Sequence, residues 1–315
     1  MGHMKCGAWE VGCRFVVFAL CVLAPASAEE KQFAVRSEMA RARLPERVSP
    51  IRLDVKRVLI PVTVTDALDR PVQGISKQQF RVYEDGIEQR ISDVSSEDAP
   101  ISLGVVLDAS ASMESKLKKS KEAVRQFIEL SIPGDEFFLT VFNELPEPVF
   151  GFTADPRRIE DGLSGIRADG ATALFDALYL ATHQMKSARN ARKALLVLSD
   201  GKDNNSRYTE REVKAMLREA DVRIFGISIQ DRSRALEEIA EESGGRAYRV
   251  RKLSELPELA ARLSAETHSQ YLLSYVPANT ANDGKYRRVK VVLTQPEGAP
   301  PLHTSWRRGY YGPVQ

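Results

Sequence analysis

Residues 101–112 have the sequence ISLGVVLDASAS, in which an apolar run passes directly into one carboxylate and two hydroxyls. The run from Ile101 to Leu107 predicts a buried strand, because continuous apolar stretches of this length are typical of strands covered on both faces. Asp108, Ser110 and Ser112 follow at the exit of that strand. Their oxygen atoms are of the kind that hard cations such as Mg²⁺ bind. The stretch therefore indicates a candidate metal site at one edge of a sheet.

Two further oxygen donors occupy matching positions downstream. Thr172 opens a helical pattern after Asp169 and Gly170, and Asp200 ends a second apolar run before Gly201. In open α/β sheets, ligands bind beyond the carboxyl ends of the strands. We therefore expect these side chains to meet the first three at that edge.

Each donor taken alone also has an ordinary structural explanation. Ser112 or Thr172 could cap a helix, and Asp200 could form a turn. Their joint placement favours the metal. We predict that Asp108, Ser110, Ser112, Thr172 and Asp200 surround one divalent cation, Mg²⁺ or alternatively Mn²⁺ or Ca²⁺, and leave one coordination position for an outside carboxylate.

Predicted strands and helices alternate from residue 101 to residue 268, which indicates an α/β domain. We expect a doubly wound, mostly parallel sheet with helices on both faces, as in Rossmann-like folds. The short predicted strand Val149–Phe152 follows its neighbour too closely for a helical crossover. It is therefore expected to run antiparallel.

Predicted β-strands flank this domain on both sides. Residues 51–98 contain alternating apolar positions, a hairpin turn at Asp85-Gly86, and Pro61, which predicts an edge strand. Residues 270–315 return to a β pattern. In a doubly wound unit, both flanks emerge at the edge opposite the carboxyl ends of the strands. We therefore predict that they pack as one accessory β domain, far from the candidate metal site.

The first 28 residues have the layout of a secretory signal peptide. Lys5 and Arg14 precede the apolar stretch Phe15–Ala24, and Ala26-Ser27-Ala28 supplies small residues for cleavage. Residues 29–50 are charged and weakly patterned, which predicts a linker. No later segment has the roughly 20 apolar residues that span a bilayer. We expect an extracytoplasmic mature protein, periplasmic or secreted, without a transmembrane span.

Cysteine placement and charge exclude several classes of function. Cys6, Cys13 and Cys21 all lie in the predicted signal peptide, so the mature chain would contain no disulfide, thiolate zinc site or cysteine nucleophile. The 45 Lys and Arg residues nearly balance the 43 Asp and Glu residues, giving a net charge of +2. This balance does not favour nucleic acid or an anionic membrane as the partner.

Three motifs together resemble the von Willebrand factor type A (vWA) domain with its metal-ion-dependent adhesion site (MIDAS). They are Asp108-Ala109-Ser110-Ala111-Ser112, Gly170-Ala171-Thr172 and Ser199-Asp200-Gly201, and the resemblance covers residues 101–268. It implies that the two serines and the threonine bind Mg²⁺ or Mn²⁺ directly, and that the two aspartates act directly or through water. An acidic side chain of a ligand would complete the octahedron. Ser199 stands where the family commonly has threonine.

The flanks add a second resemblance. Val62–Asp66, Phe80–Gly86 and Arg308–Tyr311 resemble the VWFA-related family of exported bacterial proteins. This similarity extends over almost the whole mature chain. It implies an architecture rather than a partner.

Other polar residues near the motifs have secondary roles in this interpretation. Residues 203–205, Asp-Asn-Asn, are interpreted as a rim that shapes access to the site, with direct metal contact as the alternative. Asp176 lies one helical turn after Thr172, so it either orients Thr172 or an inner water, or has a solvated or capping role. Three separated histidines are interpreted as surface or packing residues: His183, His268 and His303.

The leading hypothesis is a non-enzymatic binding protein that captures an Asp or Glu side chain of a protein partner through the metal. A structural subunit of an envelope assembly and a Mg²⁺-dependent phosphohydrolase are the alternatives. Ser110 opposes the enzyme, because haloacid-dehalogenase-like phosphatases have a second aspartate there, and neither a P-loop nor a Gly-x-Ser-x-Gly elbow is present. In related vWA domains the final helix shifts with site occupancy, so movement of the predicted helix Leu253–Ala265 could move the accessory domain.

Overall fold

The computed structural model describes residues 57–96, 99–296 and 298–314 of the 315 residues in the chain. The predicted signal peptide (1–28) and linker (29–50) lie outside the described residues. No helix within the described part is long and apolar enough to cross a bilayer.

The described residues form fourteen strands and six α-helices. The strands are β1 (Val58–Thr65), β2 (Phe80–Glu84), β3 (Ile87–Gln89), β4 (Ile91–Ser96), β5 (Ile101–Asp108), β6 (Glu136–Phe142), β7 (Pro146–Thr153), β8 (Arg192–Ser199), β9 (Arg223–Ile229), β10 (Arg246–Val250), β11 (Tyr271–Tyr275), β12 (Tyr286–Leu293), β13 (His303–Trp306) and β14 (Gly309–Tyr311). The helices are α1 (Leu117–Glu129), α2 (Pro156–Ser164), α3 (Leu174–Gln184), α4 (Glu210–Ala220), α5 (Arg234–Glu242) and α6 (Leu256–His268).

A six-stranded sheet forms the centre of the α/β part, with the order β10-β9-β8-β5-β6-β7. All pairings are parallel except that of β6 with β7, so the predicted antiparallel strand is confirmed. All eight residues of β5 are buried, as its apolar sequence predicts for an inner strand. The predicted doubly wound α/β fold is confirmed.

The helices cover both faces of this sheet. One face packs apolar residues of α1, α2 and α6 into a single core, for example Phe127, Leu163 and Leu263. The other face packs residues of α3, α4 and α5, for example Leu178 and Leu217. Burial stabilises the fold by about 1.5–3 kcal/mol for each large apolar side chain. The two cores hold the strand ends in fixed positions.

The flanking segments form two four-stranded sheets, ordered β13-β1-β11-β4 and β14-β12-β2-β3. Each sheet contains strands from both sides of the α/β part, and the sheets share one apolar core that includes Val62, Tyr275 and Val291. An accessory β region built from both flanks is therefore confirmed. The hairpin at Asp85 and Gly86 is also present, with φ of 48° and 86°.

The prediction of an edge strand from Pro61 is wrong. Strand β1 lies between β13 and β11. Its pairing with β13 starts only at Val62, whereas Pro61 pairs with Leu272 of β11. Proline is tolerated because the neighbouring strand does not extend to its position, so no ladder hydrogen bond is required there.

The accessory sheets meet the central sheet at the amino-terminal ends of its parallel strands. Arg223, which begins β9, donates from Nη2 to Thr63 Oγ1 of β1 at 2.9 Å. Gly244 has φ of 80°, and a Cβ there would lie 2.3 Å from Arg307 N. Glycine is therefore needed for the two backbones to approach this closely. The carboxyl ends of the strands, which carry the candidate site, lie at the opposite edge.

Candidate metal site

Asp108 ends β5 and is fully buried. Its Oδ1 accepts a hydrogen bond from Ser110 N at 2.8 Å, and its Oδ2 accepts one from Ser199 Oγ at 2.5 Å. Burial raises the pKa of the Asp108 carboxyl above its ordinary value, although hydrogen bonds from Ser199 and Ser110 partly offset the increase. The carboxylate is thus fixed in place by two strand ends, those of β5 and β8.

A chain of hydroxyls connects Asp108's loop to Asp200. Ser110 Oγ lies 3.2 Å from Ser112 Oγ, and Ser112 Oγ donates to Asp200 Oδ1 at 2.7 Å. A short 3₁₀ turn, Ala111–Met113, places these side chains. Asp200 is 4% exposed. Two of the three predicted segments therefore meet directly.

The third segment, residues 170–172, is hydrogen-bonded through its backbone to both of the others. Ala111 N donates to Gly170 O at 3.0 Å, and Thr172 N donates to Asn204 Oδ1 at 2.9 Å. A Cβ on Gly201 would lie 3.7 Å from Thr172 Oγ1, so this hydroxyl lies beside the loop that carries Asp200. Thr172 is 4% exposed.

Ser112, Thr172 and Asp200 line one open cavity of about 550 Å³ at the carboxyl ends of the strands. The structure therefore gathers all five predicted residues at a single edge, where they offer two carboxylates and three hydroxyls. Oxygen donors of these types fit a hard, octahedral cation such as Mg²⁺. The described residues contain no group of three or more His, Cys, Asp or Glu that could hold a metal. The hydroxyls are thus an essential part of this donor set.

Lys116 also contacts this site, although no sequence motif indicates it. Its Nζ forms an ion pair with Asp200 Oδ2, and its side chain is 13% exposed. Lys116 lies directly before α1, one turn after Ser112. Side chains at this spacing lie on one face of a helix, which is the only sequence feature that could have indicated the contact.

The polar loop after Asp200 borders the cavity through Asn204 and also positions neighbouring backbone. Asp203 Oδ1 accepts from Phe175 N at 3.3 Å at the start of α3, and Asn204 holds Thr172. Asn205 Nδ2 donates to Glu144 O at 2.8 Å. These contacts join the loops around the cavity.

Asp176 is buried and holds backbone of the polar loop; it does not cap α3. Its Oδ1 accepts hydrogen bonds from Arg207 N at 2.8 Å and Tyr208 N at 3.0 Å. These bonds hold the polar loop against α3. The histidines fit their interpretation as surface or packing residues: His183 and His303 are exposed, and His268 is buried against Asp135.

The sequence profile of the von Willebrand factor type A domain matches residues 103–262, just over half of the chain. The chain belongs to the von Willebrand factor type A family. No curated protein matches the chain by sequence. The five candidate ligands of this vWA domain lie on the loops that follow β5 and β8 and on the loop before α3.

Solved structures share the vWA fold. A von Willebrand factor type A protein from Catenulispora acidiphila is 16% identical, with a TM-score of 0.50, over 82% of this chain and 73% of that one. Proximal thread matrix protein 1 from the mussel byssus is 18% identical, with a TM-score of 0.50, over 59% of this chain. This chain spans 51% of the mussel protein's length. At these identities the similarity establishes the fold alone.

Proposed function

We propose that this chain is a non-enzymatic binding protein whose vWA domain holds a divalent cation and uses it to capture an Asp or Glu side chain of a protein partner. The cation, Mg²⁺ with Mn²⁺ or Ca²⁺ as alternatives, would be held by Asp108, Ser110, Ser112, Thr172 and Asp200. The hydroxyl chain from Ser110 through Ser112 to Asp200 is the observation that carries this proposal.

Neutral hydroxyls offset less of the ion's positive charge than carboxylates would. Asp108 already accepts hydrogen bonds at both oxygens, from Ser110 N and Ser199 Oγ, which favours a role through water or its remaining lone pairs. Mg²⁺ retains waters and demands octahedral geometry. An ion held mainly by neutral groups therefore remains able to bind one more carboxylate from outside.

The mouth of the cavity supports an acidic ligand. Lys202 is exposed and lines the cavity, as does Arg232, whose guanidinium is paired with Glu237. Asp231 also lines the mouth, so the charge there is mixed. A carboxylate that reaches the ion would gain from the cations on the rim, an effect that weakens as salt concentration rises.

Metal binding can be measured by titration calorimetry of residues 29–315 with Mg²⁺ and with Mn²⁺. Ser112→Ala removes one hydroxyl from the donor set and is expected to weaken binding about 10–100-fold, as for other changes close to a metal. The matched control is Ser115→Ala, because Ser115 is exposed and lies three residues further along. Equal affinity of both variants and the wild type would contradict the proposed ligand set.

Capture of a carboxylate can be measured on arrays of peptides that contain Asp or Glu, paired with their Asn or Gln counterparts. The proposal predicts binding to acidic peptides in Mg²⁺ and none in EDTA, with reciprocal coupling between metal and peptide. If Mg²⁺ raises the melting temperature and no acidic peptide binds, the structural-subunit alternative is supported instead. Phosphatase turnover that Asp108→Ala abolishes would overturn the non-enzymatic assignment.

We also propose that the protein is exported, on the basis of the pattern in residues 1–28. Export would place the site where free divalent cations and envelope proteins are available. Expression of the full chain in a bacterial host, followed by mass spectrometry of the processed protein, should give a mature chain that starts at Glu29. An uncleaved cytoplasmic product would contradict export.

A further inference from the structure

We propose that Lys116 is a built-in competitor of the divalent cation, and that it sets the metal concentration at which the site fills. This inference rests on the proposed metal site. The ammonium group of Lys116 already forms an ion pair with Asp200, one of the two carboxylates that the ion would use.

Asp200 has both carboxylate oxygens engaged. Oδ1 accepts the hydroxyl of Ser112 at 2.7 Å, and Oδ2 pairs with Lys116 Nζ. The Asp200 side chain is 1% exposed and that of Lys116 is 13% exposed. Water therefore screens this pair poorly, and the ammonium group neutralises Asp200 in place.

The backbone of Lys116 is fixed, so the ion pair is not a chance contact of a mobile surface side chain. Lys116 N donates to Met113 O at 2.9 Å, and Lys116 O accepts from Ser120 N at 3.0 Å and from Ser120 Oγ at 3.1 Å. Met113 and Ser120 are fully buried. The 3₁₀ turn and α1 thus direct the side chain of Lys116 towards Asp200.

The charge of the site follows from this contact. Asp108 and Asp200 together bring two negative charges to the donor set, and Lys116 cancels one of them. A divalent cation that binds through Asp200 Oδ2 must displace the ammonium group. Lys116 therefore weakens metal binding, and metal binding releases Lys116 towards the cavity.

The first test compares metal affinity among variants by titration calorimetry with Mg²⁺ and Mn²⁺. Lys116→Gln removes the positive charge and is expected to tighten binding about tenfold, on the order expected for one poorly screened like charge. Lys116→Arg keeps the charge and should stay near the wild-type affinity. Lys118→Gln is the matched control, since Lys118 is exposed and lies two residues away. Circular dichroism and thermal melting establish that each variant is folded.

The second test uses the wild-type protein alone and follows acylation of lysine amines by mass spectrometry. Lys116 should be protected without added metal and should react several-fold faster at saturating Mg²⁺, with Lys118 unchanged as the internal reference. An affinity of Lys116→Gln equal to or weaker than wild type would overturn the inference, as would unchanged reactivity of Lys116 at saturating Mg²⁺. Absence of metal binding in wild type and Lys116→Gln alike would overturn the proposed metal site itself.

Discussion

The two buried aspartates of the site are each held by a hydroxyl from another segment. Ser199 of β8 donates to Asp108 of β5, and Ser112 of the first loop donates to Asp200 of the third. Burying a carboxylate is costly unless such bonds are made. These two hydrogen bonds join the loops that follow β5 and β8, and they fix the orientation of both carboxylates.

Removal of the Ser199 hydroxyl tests one of these hydrogen bonds. Ser199→Ala leaves Asp108 Oδ2 without the donor at 2.5 Å. We expect a loss of about 1–3 kcal/mol in the free energy of unfolding, the usual cost of an unsatisfied buried group, together with weaker metal binding. Urea denaturation and Mg²⁺ titration measure the two effects. Ser199→Thr keeps the hydroxyl and should retain most of both; a loss equal to that of alanine would refute the role of this bond.

At the residue scale, the sequence predicts the placement of the candidate donors better than the contacts that arrange them. The gathering of Asp108, Ser110, Ser112, Thr172 and Asp200 at one edge could be predicted because strand exits and helix starts share one edge of an α/β sheet. The roles of Ser199, Lys116 and Asn204 could not. They depend on the direction of single side chains in three dimensions, and residue order does not specify that direction.

At the element scale, a regular apolar pattern predicts strands and helices within a few residues. The pattern from Lys116 to Leu130 predicts a helix, and α1 spans Leu117–Glu129. Helix α2 was missed although Asp155 caps it and Pro156 begins it, because only Ile159 and Leu163 are buried in its nine residues. So short a pattern carries little periodicity.

The C-terminal strand prediction failed for a different reason. The β pattern of residues 306–311 predicts a single strand, but β13 pairs with β1 and β14 pairs with β12. The two strands therefore belong to different sheets. The partner of β13 is residues 62–65, far away in the chain, whereas the partner of β14 is residues 286–288. Local periodicity contains no information about this change of partner.

Asp135 links β5, the loop before β6 and α6. It accepts hydrogen bonds from Ile101 N at the start of β5 and from Ile132 N, and it is hydrogen-bonded to His268 Nε2 at the end of α6, each at 2.9 Å. Asp135→Ala is expected to cost about 3 kcal/mol or more of unfolding free energy, since it removes the partner of buried backbone donors. Chemical denaturation measures this cost. The exposed Asp161→Ala serves as the control, and equal stability of the two variants would contradict the account.

At the scale of the whole molecule, buried charges join the α/β part to the accessory sheets. Arg223 is 6% exposed and bonds to Thr63 Oγ1 and Gly244 O, both at 2.9 Å. Glu266 on α6 is 1% exposed and accepts from Tyr248 Oη at 2.9 Å. Burial raises the pKa of Glu266 above its ordinary value of 4.5, and the guanidinium of Arg223 opposes that increase.

Removal of Arg223 alone should lower the free energy of unfolding more than removal of both charges. Arg223→Met removes the larger of the two cationic influences on Glu266, since Arg246 remains, and leaves Thr63 and Gly244 without their donor. We expect a cost of about 1–3 kcal/mol of unfolding free energy. The double variant with Glu266→Gln should recover part of that loss, and a double-mutant cycle measures the recovery. Additive losses would show that the two charges do not interact.

The pH dependence of Arg223→Met follows from the same pair. A carboxyl whose pKa is raised in the folded state binds protons more tightly there than in the unfolded chain, so stability falls as pH rises above the unfolded value. We expect the unfolding free energy of Arg223→Met to decrease from pH 4.5 upwards, relative to wild type. Addition of Glu266→Gln should remove this decrease. Parallel pH profiles for wild type and Arg223→Met would contradict the assignment.

The chain passes from α6 into β11 through only Ser269 and Gln270. Under the hypothesis that α6 moves on ligand capture, this short connection would transmit the movement to the accessory sheets. Solution scattering of the protein with and without Mg²⁺ and an acidic peptide measures it. Identical interdomain geometry in both states would exclude this coupling.

Anomalous diffraction from crystals grown with Mn²⁺ is the most direct measurement of the central claim, that five side chains from three segments surround one divalent cation. We predict one dominant anomalous peak in contact with the hydroxyls of Ser110, Ser112 and Thr172, close to Asp108 and Asp200. A dominant peak elsewhere, or none at this edge at saturating Mn²⁺, would contradict it.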